Sequence, residues 1–316
     1  MTWRLWIAGG CLLAVVAGGG CLGSGDDDDN GNGAAHVAFT TIFSSATQLV
    51  YTVRPDWSPD GSNIIFSGGP NAHVYRVAAT AGASPVGVTN TASEEWEDWG
   101  YTPCVLADGR IAYYLGWIGD DHDMHIMAAG ATQEEGVPAP VILHQFNGAD
   151  VGMGQDVAGS PEVLSVSGDG SRAVVLWGSS TLYTLDWSGG PVAAVRLSDA
   201  IGGTIWDPVL SRDGERIVFV NGDHEIAWLP FAGGTPQVVG SGLYPSWSGD
   251  GELLGYVNDD FESYVVHDMS GGTDTHYSLS GASSLQYAAL SWDGTKFAFR
   301  TFGGPNNGIS VGTLVP

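Results

Sequence analysis

The chain has 316 residues, 43% hydrophobic and 14% charged, so it carries enough apolar material to bury a sizeable core and too much to stay disordered. Its 35 acidic and 10 basic residues leave a net charge of −25, which repels nucleic acids and anionic lipid surfaces and excludes them as partners. With 48 glycines beside 12 Trp, 11 Tyr and 10 Phe, many short strands joined by tight turns are expected, an all-β protein.

Residues 1–20 have the pattern of an export signal. Arg4 supplies a positive start, Leu5 to Ala17 an apolar run broken by Gly9 and Gly10, and Gly18-Gly19-Gly20 the small residues ahead of Cys21. The run falls short of the ~20 apolar residues of a spanning helix. The segment resembles a bacterial lipoprotein signal, which implies that Cys21 becomes the acylated first residue of the mature chain. Gly18 stands where that family usually has Leu, so cleavage without lipidation is the alternative.

Residues 21–35 follow as an acidic tether, in which Asp26 to Asp29 and Asn30-Gly31-Asn32-Gly33 show no apolar periodicity and repel themselves. An unpatterned aspartate run reads as a solvated linker, because a calcium loop spaces its ligands with turn residues. Cys11 leaves with the signal and Cys21 is taken by the anchor, which leaves Cys104 without a disulfide partner. A monomer is expected, touching the membrane through its lipid only, at the outer membrane or cell surface or in the periplasm.

Residues 36–316 read as one domain made of a unit repeated six times. Asp-Gly pairs at Asp60, Asp108, Asp169, Asp213, Asp250 and Asp293 are spaced by 48, 61, 44, 37 and 43 residues. An apolar residue stands three positions before each Asp, Ser two positions before in five units, and Pro five positions before in four. Apolar runs on both sides of each pair predict strand, tight turn, strand. A third alternating run follows, at His73 to Ala78, Met124 to Ala129, Thr181 to Trp187, Glu225 to Phe231 and Ser263 to Met269, then a glycine turn and a fourth short strand. Four strands per ~45 residues predict a six-bladed β-propeller with four antiparallel strands per blade, since such sheets cover their faces by packing in a closed ring. The sixth unit runs out after a strand around Ile309 to Leu314. The β-rich stretch His36 to Val53 is expected to supply the missing strand and close the ring.

Trp57-Ser58-Pro59-Asp60-Gly61 with Ile64-Ile65-Phe66, and Tyr244-Pro245-Ser246-Trp247-Ser248-Gly249-Asp250-Gly251, resemble the repeat of TolB-like, WD-repeat-like propellers over roughly residues 36–316. That family spans periplasmic scaffold proteins and the propeller domains of some peptidases and lyases, so the resemblance implies a fold more than an activity. The small N-terminal domain of TolB itself has no counterpart in the sequence.

In such a topology the Asp-Gly turns share one face, while the central hairpin loops and the connections between blades share the other, which collects the acids. Glu94, Glu95, Trp96, Glu97, Asp98 and Trp99 fall on the connection into the second blade, and Trp117 and Asp120 to Asp123 on its hairpin. Asp150 and Asp156 fall in a glycine-rich insertion, Gly148 to Gly159, expected to form a mobile flap; Trp206, Asp207, Asp223, Asp259, Asp260 and Phe261 follow. Acids interleaved with aromatics around a channel mouth suit a cationic protein or peptide, a sugar, or a divalent cation.

Asp121, His122, Asp123 and His125 form the densest candidate set for calcium or zinc, although alternation sends His122 and His125 to different faces and a solvated hairpin loop is the simpler reading. No stretch accommodates a helical hydrolase domain. Lys296 sits in a predicted strand, Cys104 lacks a nearby His, and Trp57 and Trp247 read as packing between blades. The leading expectation is a non-enzymatic envelope lipoprotein that binds a protein or peptide. The alternatives are a metal-assisted hydrolase or lyase acting on carbohydrate, and a glycan-binding propeller using the same face.

Overall fold

The repeated Asp-Gly pair is a turn locked by side chains. In the computed structural model, Ser58 donates its hydroxyl to Asp60 Oδ1 (2.7 Å) and accepts the Asn63 N–H (2.9 Å), while the Ser62 N–H closes on the same carboxylate (3.0 Å). The Gly61 N–H bonds the Ser58 carbonyl at 2.9 Å with φ at 66°, a conformation that favours glycine. The same set recurs at Ser167–Asp169, Ser211–Asp213, Ser248–Asp250 and Ser291–Asp293. In the second unit Leu106 replaces the serine, and Asp108 keeps its bond to the Arg110 N–H (3.0 Å).

These turns join the first two strands of each four-stranded antiparallel sheet. The first sheet is β2 (Asp56–Trp57), β3 (Asn63–Gly68), β4 (His73–Ala78) and β5 (Val86–Gly87). The second is β6 (Trp99–Val105), β7 (Ile111–Gly116), β8 (Asp121–Met127) and β9 (Val141–Asn147), and the third β10 (Pro161–Val166), β11 (Arg172–Trp177), β12 (Thr181–Asp186) and β13 (Ala193–Arg196). The fourth holds β14 (Ile205–Leu210), β15 (Arg216–Asn221), β16 (Glu225–Pro230) and the first half of β17 (Gln237–Trp247). The second half of β17 is the inner strand of the fifth sheet, with β18 (Leu253–Asn258), β19 (Ser263–Asp268) and β20 (Thr273–Ser278). The described residues are 35–45, 54–68, 73–89, 99–116, 121–127, 141–147, 161–177, 180–189, 191, 193–197, 201–279, 285–301 and 307–315.

The sixth sheet is β21 (Leu285–Leu290), β22 (Lys296–Thr301), β23 (Asn307–Val315) and, as the sequence predicts, a strand from the other end of the domain, β1 (His36–Ser45). β1 pairs antiparallel with β23 from His36↔Val315 to Ser45↔Asn307. A Cβ at Gly308 would collide with the Phe43 carbonyl, so glycine is required for this close approach. Inner strands follow one another in the order β2, β6, β10, β14, β17, β21, and β21 returns to β2. The ring is a closed β-propeller.

The core lies between the sheets. Ile65 and Val74 meet Val105, Ile111 and Tyr113; Val174 and Leu176 meet Ile217 and Phe219; and Tyr264 stacks on Phe297 at 4.0 Å between the fifth and sixth sheets. Trp57 and Trp247 are buried at such joints, and their indole N–H groups donate to the Ala289 (2.9 Å) and Val209 (3.2 Å) carbonyls of the preceding sheet. Neighbouring inner strands share no ladder, so small polar side chains take up their N–H groups: Leu210 bonds Ser165 Oγ at 3.0 Å and Leu290 bonds Ser246 Oγ at 2.8 Å. In the first sheet the corresponding acceptor is a carboxylate, Asp56 Oδ2, 2.7 Å from the Val105 N–H.

Candidate functional site

The inner strands enter the ring through irregular backbone. Register shifts occur between Tyr101 and Cys104, Pro161 and Val163, Trp206 and Val209, Leu243 and Ser246, and Gln286 and Ala289. Four of these bulges hold a non-glycine residue at positive φ: Thr102 (40°), Asp207 (47°), Tyr244 (58°) and Tyr287 (52°). Each stands six residues before the aspartate of its Asp-Gly turn, the position Arg54 occupies in the first unit. A bulge re-aims side chains, and left-handed residues of this kind persist only where the surroundings hold them.

The consequence is a cluster where side chains from several blades converge. Arg54 Nη2 lies 3.3 Å from Asp207 Oδ1 and 3.3 Å from the Asp207 carbonyl, linking the first unit to the fourth, which stands opposite in the ring. Arg54 Nε is buried and has no hydrogen-bond partner among the described residues. The Tyr244 and Tyr287 rings meet at 5.1 Å and 48°. Burial, reinforced by Asp207, pushes both phenols above their ordinary range, so they stay neutral hydrogen-bond donors. Burial lowers the Arg300 guanidinium, and the same two tyrosines oppose that shift.

The rim above this cluster is aromatic. Trp206 is partly exposed and packs edge to face on His224 at 5.5 Å, while Phe261 is exposed. His224 and Phe261 occupy the left-handed position of their hairpin turns (62° and 61°), and Asn221 and Asn258 hold those turns by accepting the Glu225 (2.9 Å) and Ser263 (2.8 Å) N–H groups.

The opposite end of the channel is closed. Arg212, inside the Ser-Arg-Asp-Gly turn of the fourth unit, reaches across the ring to Asp56 of the first and donates Nη1 to the Val105 carbonyl at 3.0 Å. Its guanidinium lies 4.8 Å from the centre of the Trp292 ring. Burial works against the Arg212 charge, Asp56 restores it, and the net shift is upward. Between the two arginines the channel has a free volume of about 30 Å³, room for roughly two waters. The Cys104 thiol beside this space is pushed up to about 11, by burial first and then by Asp56, which keeps it protonated at neutral pH.

Several of the residues proposed from the sequence meet at this mouth and others do not. Trp206 and Asp207 are part of it, and Asp259 and Asp260 form the exposed β18–β19 hairpin turn, where Asp260 accepts the Glu262 N–H at 2.8 Å. Trp99 begins β6, opposite Gly116. Glu94, Glu95, Trp96, Glu97, Asp98, Trp117, Asp120, Asp150, Asp156, the 148–159 insertion, and Cys21 with its signal and tether lie outside the described residues. Asp121, His122, Asp123 and His125 belong to strand β8 and not to a hairpin loop, because ladders on both sides extend the strand back to Asp121. His122 stands opposite Gly116 and Phe146, and His125 opposite Tyr113 and Ile142; the odd spacing keeps the two positions on different faces of the strand. Among the described residues no three His, Cys, Asp or Glu side chains are grouped to hold a metal. Arg54, Tyr244, Tyr287, Arg300 and Arg212 were not singled out from the sequence, although three of them share one column of the repeat.

No protein-family model matches the chain, and no curated protein does. Solved structures do. A gluconolactonase from Xanthomonas campestris superposes with a TM-score of 0.58 at 15% identity, over 88% of this chain and 90% of that one. A putative TolB from Agrobacterium tumefaciens gives 0.54 at 15% identity over 90% and 99%. A protein of unknown function from Bacteroides thetaiotaomicron gives 0.59 at 11% identity over 89% and 76%. At such identities the likeness is one of fold, the β-propeller, shared by proteins with different names.

Proposed function

We propose that this chain is an exported, lipid-anchored β-propeller that binds a protein or peptide segment at the mouth of its channel and carries out no chemistry on it. The observation that carries this reading is a channel whose two ends differ: Arg212 and Asp56 pair beside Trp292 at one, while at the other Arg54, Asp207, Tyr244 and Tyr287 converge near exposed Trp206 and Phe261. Aromatic side chains with a few charged groups at one place suit an end or a loop of a ligand. The hydroxyls in the channel serve structure, since Ser165 and Ser246 accept backbone N–H groups of the next blade, and the Cys104 thiol is buried. The lipoprotein-like N-terminus and the similarity to a putative TolB support an envelope setting.

The test is site-specific photocrosslinking in the expressing cell. A crosslinker at Phe261 should capture a defined partner, and Trp206→Ala should abolish the capture. The same probe at Val86, exposed on the outer strand of the first sheet, should capture none. Equal labelling from both positions, or none from Phe261, would remove this reading. The similarity to a gluconolactonase favours a second one, metal-assisted carbohydrate chemistry with calcium or zinc at Asp121, His122, Asp123 and His125. A stoichiometric metal in the purified protein, lost in His122→Ala/His125→Ala, would favour it over the first; a metal-free protein that binds glycan through Trp206 would make the mouth a sugar site instead.

A further inference from the structure

We propose that a groove between the first and second blades, beside their Asp-Gly turns and outside the channel, binds a small zwitterion, an aliphatic amino acid or a dipeptide, with its carboxylate on Arg76 and its ammonium on Asp60. The groove has a free volume of about 350 Å³, in the range of small-molecule sites, against about 30 Å³ in the channel. Its floor is apolar, made by Ile65 of the first sheet and Val105 and Ile111 of the second. This site shares no residue with the mouth and stands or falls apart from it.

The groove exists because the repeat departs from its own pattern here. Three residues after the turn aspartate, the third and fourth units carry arginines that reach across to the next blade. Arg172 Nη1 bonds the Gly214 carbonyl at 3.1 Å and pairs with Glu215, and Arg216 Nη2 lies 3.5 Å from Glu252. In the first unit that position is Asn63, whose amide turns back to Ser62 Oγ (2.8 Å) and spans nothing. The acid that should receive the bridge is also missing, since Arg110 stands where the fourth and fifth units have Glu215 and Glu252. A long side chain and its partner are both absent, and the space between the two turns stays open.

A second departure places a cation in that space. Arg76 on β4 stands opposite Ile65, on the face that meets the second blade; the equivalent positions in the third, fourth and fifth units hold Thr184, Trp228 and Val266. Arg76 lines the groove and has no hydrogen bond or ion pair among the described residues. The chain has only 10 basic residues against 35 acidic ones, so a half-buried guanidinium left without a carboxylate is out of character for it. Its planar fork matches a carboxylate brought from outside.

The opposite charge is also present. Asp108 is occupied by the Arg110 N–H (3.0 Å) and Nε (2.6 Å). Asp60 is held ionised by its turn, and the Ser58 hydroxyl, the Ser62 N–H and the Ser62 hydroxyl all use Oδ1, which leaves Oδ2 without a partner among the described residues. A simple anion would meet Arg76 but also Asp60 and the field of the whole acidic molecule. A simple cation would meet Asp60 and leave Arg76 unanswered. No three ligating side chains are grouped for a metal among the described residues. A net-neutral molecule with both charges and an apolar body answers Arg76, Asp60 and the floor together.

The test uses the full chain and calorimetric titration at physiological salt with L-leucine and Leu-Leu, each beside its N-acetyl form, which lacks the ammonium, and its amide, which lacks the carboxylate. The better-fitting zwitterion should bind about tenfold or more tightly than either singly charged form, the loss expected for one charge-assisted contact. Arg76→Gln should erase the advantage over the amide, and Asp60→Asn the advantage over the N-acetyl form. Asn63→Met fills the groove with an uncharged side chain of about the length of arginine and should weaken every probe about tenfold or more, while the melting temperature shows that the fold is kept. Two zwitterions that do not bind, or that bind no better than their singly charged forms, would overturn the proposal. Binding that survives Asn63→Met and Arg76→Gln would place the ligand elsewhere and overturn it as well. Capture by the Phe261 crosslinker is unaffected by either result, so the two sites are judged separately.

Discussion

The two ends of the channel are built from the same pair of groups and do different things. At the closed end Arg212 of the fourth unit crosses to Asp56 of the first; at the open end Arg54 of the first crosses to Asp207 of the fourth. Asp56 is saturated, accepting the Trp57 N–H (2.8 Å), the Val105 N–H (2.7 Å) and Arg212. Arg212 is engaged as fully, by Asp56, the Val105 carbonyl and the face of Trp292. Arg54 spends one nitrogen on Asp207, keeps a buried donor with no partner among the described residues, and sits among residues held at positive φ. A pair whose bonding capacity is exhausted locks the ring, and a pair with capacity in reserve can meet a ligand.

The largest expected effect comes from breaking the saturated pair. Arg212→Met leaves a buried carboxylate uncompensated and should cost about 3–5 kcal/mol in urea unfolding. Asp56→Ser/Arg212→Met should recover most of that loss, because Ser165 and Ser246 already show that a serine at this position satisfies the N–H of the next blade. A single variant within about 1 kcal/mol of the parent would mean that the closed end is not a structural lock. Arg54→Gln should cost less, about 1–2 kcal/mol, since the Asp207 side chain it abandons is 21% exposed against 12% for Asp56. The comparison fails if the two losses come out in the reverse order.

The closed end also carries the Ser-x-Asp-Gly turns, and these give the molecule its expected acid response. The Ser58 hydroxyl, the Ser62 N–H and the Ser62 hydroxyl hold the Asp60 carboxyl at about 2, below its ordinary 3.8; Asp250 is lowered in the same way by Ser248 and the Glu252 N–H. A carboxyl lowered in the folded state stabilises above its unfolded value, and that contribution disappears as pH falls from about 4 to about 2. The melting temperature should therefore fall in that window, and Asp60→Asn should shrink the fall by about 2 °C, a small effect because the turn is exposed to solvent. A fall already under way at pH 6 would point to a different group.

Most of the closed end was legible in the sequence, and little of the open end was. Asp and Gly at fixed spacing, with Ser two positions before in five of the six units, encode a local turn, so the six copies reveal the repeat, the strand order and the position of Trp57 and Trp247 at the joints between sheets. The β1 closure follows from a strand missing at Ile309 to Leu314 and a spare one at His36. The mouth is different because its residues touch across the ring: Arg54 and Asp207 are 153 residues apart, and nothing local links them. The column six residues before each aspartate reads Arg54, Thr102, Val163, Asp207, Tyr244 and Tyr287, and its chemical variety in a repeat that is otherwise uniform is the signal that a search for acid runs passes over. Acid runs drew attention to Asp121 to His125, where a continuous strand with a partner on each side replaces the expected loop.

The smallest expected effect on stability belongs to the rim, and it separates binding from folding most cleanly. Trp206 is partly exposed and touches His224 edge to face, so Trp206→Ala removes one weak aromatic contact and little buried area. Unfolding should shift by about 0.5–1 kcal/mol. Yet the same substitution should abolish capture by the Phe261 crosslinker, because an exposed indole at the lip of the channel is placed to carry a large share of a ligand's contact area. A large loss of stability would return Trp206 to the core of the fourth blade, and an unchanged capture would move the partner away from the mouth. Only a small loss of stability with a large loss of capture fits an open end reserved for a ligand and a closed end reserved for the ring.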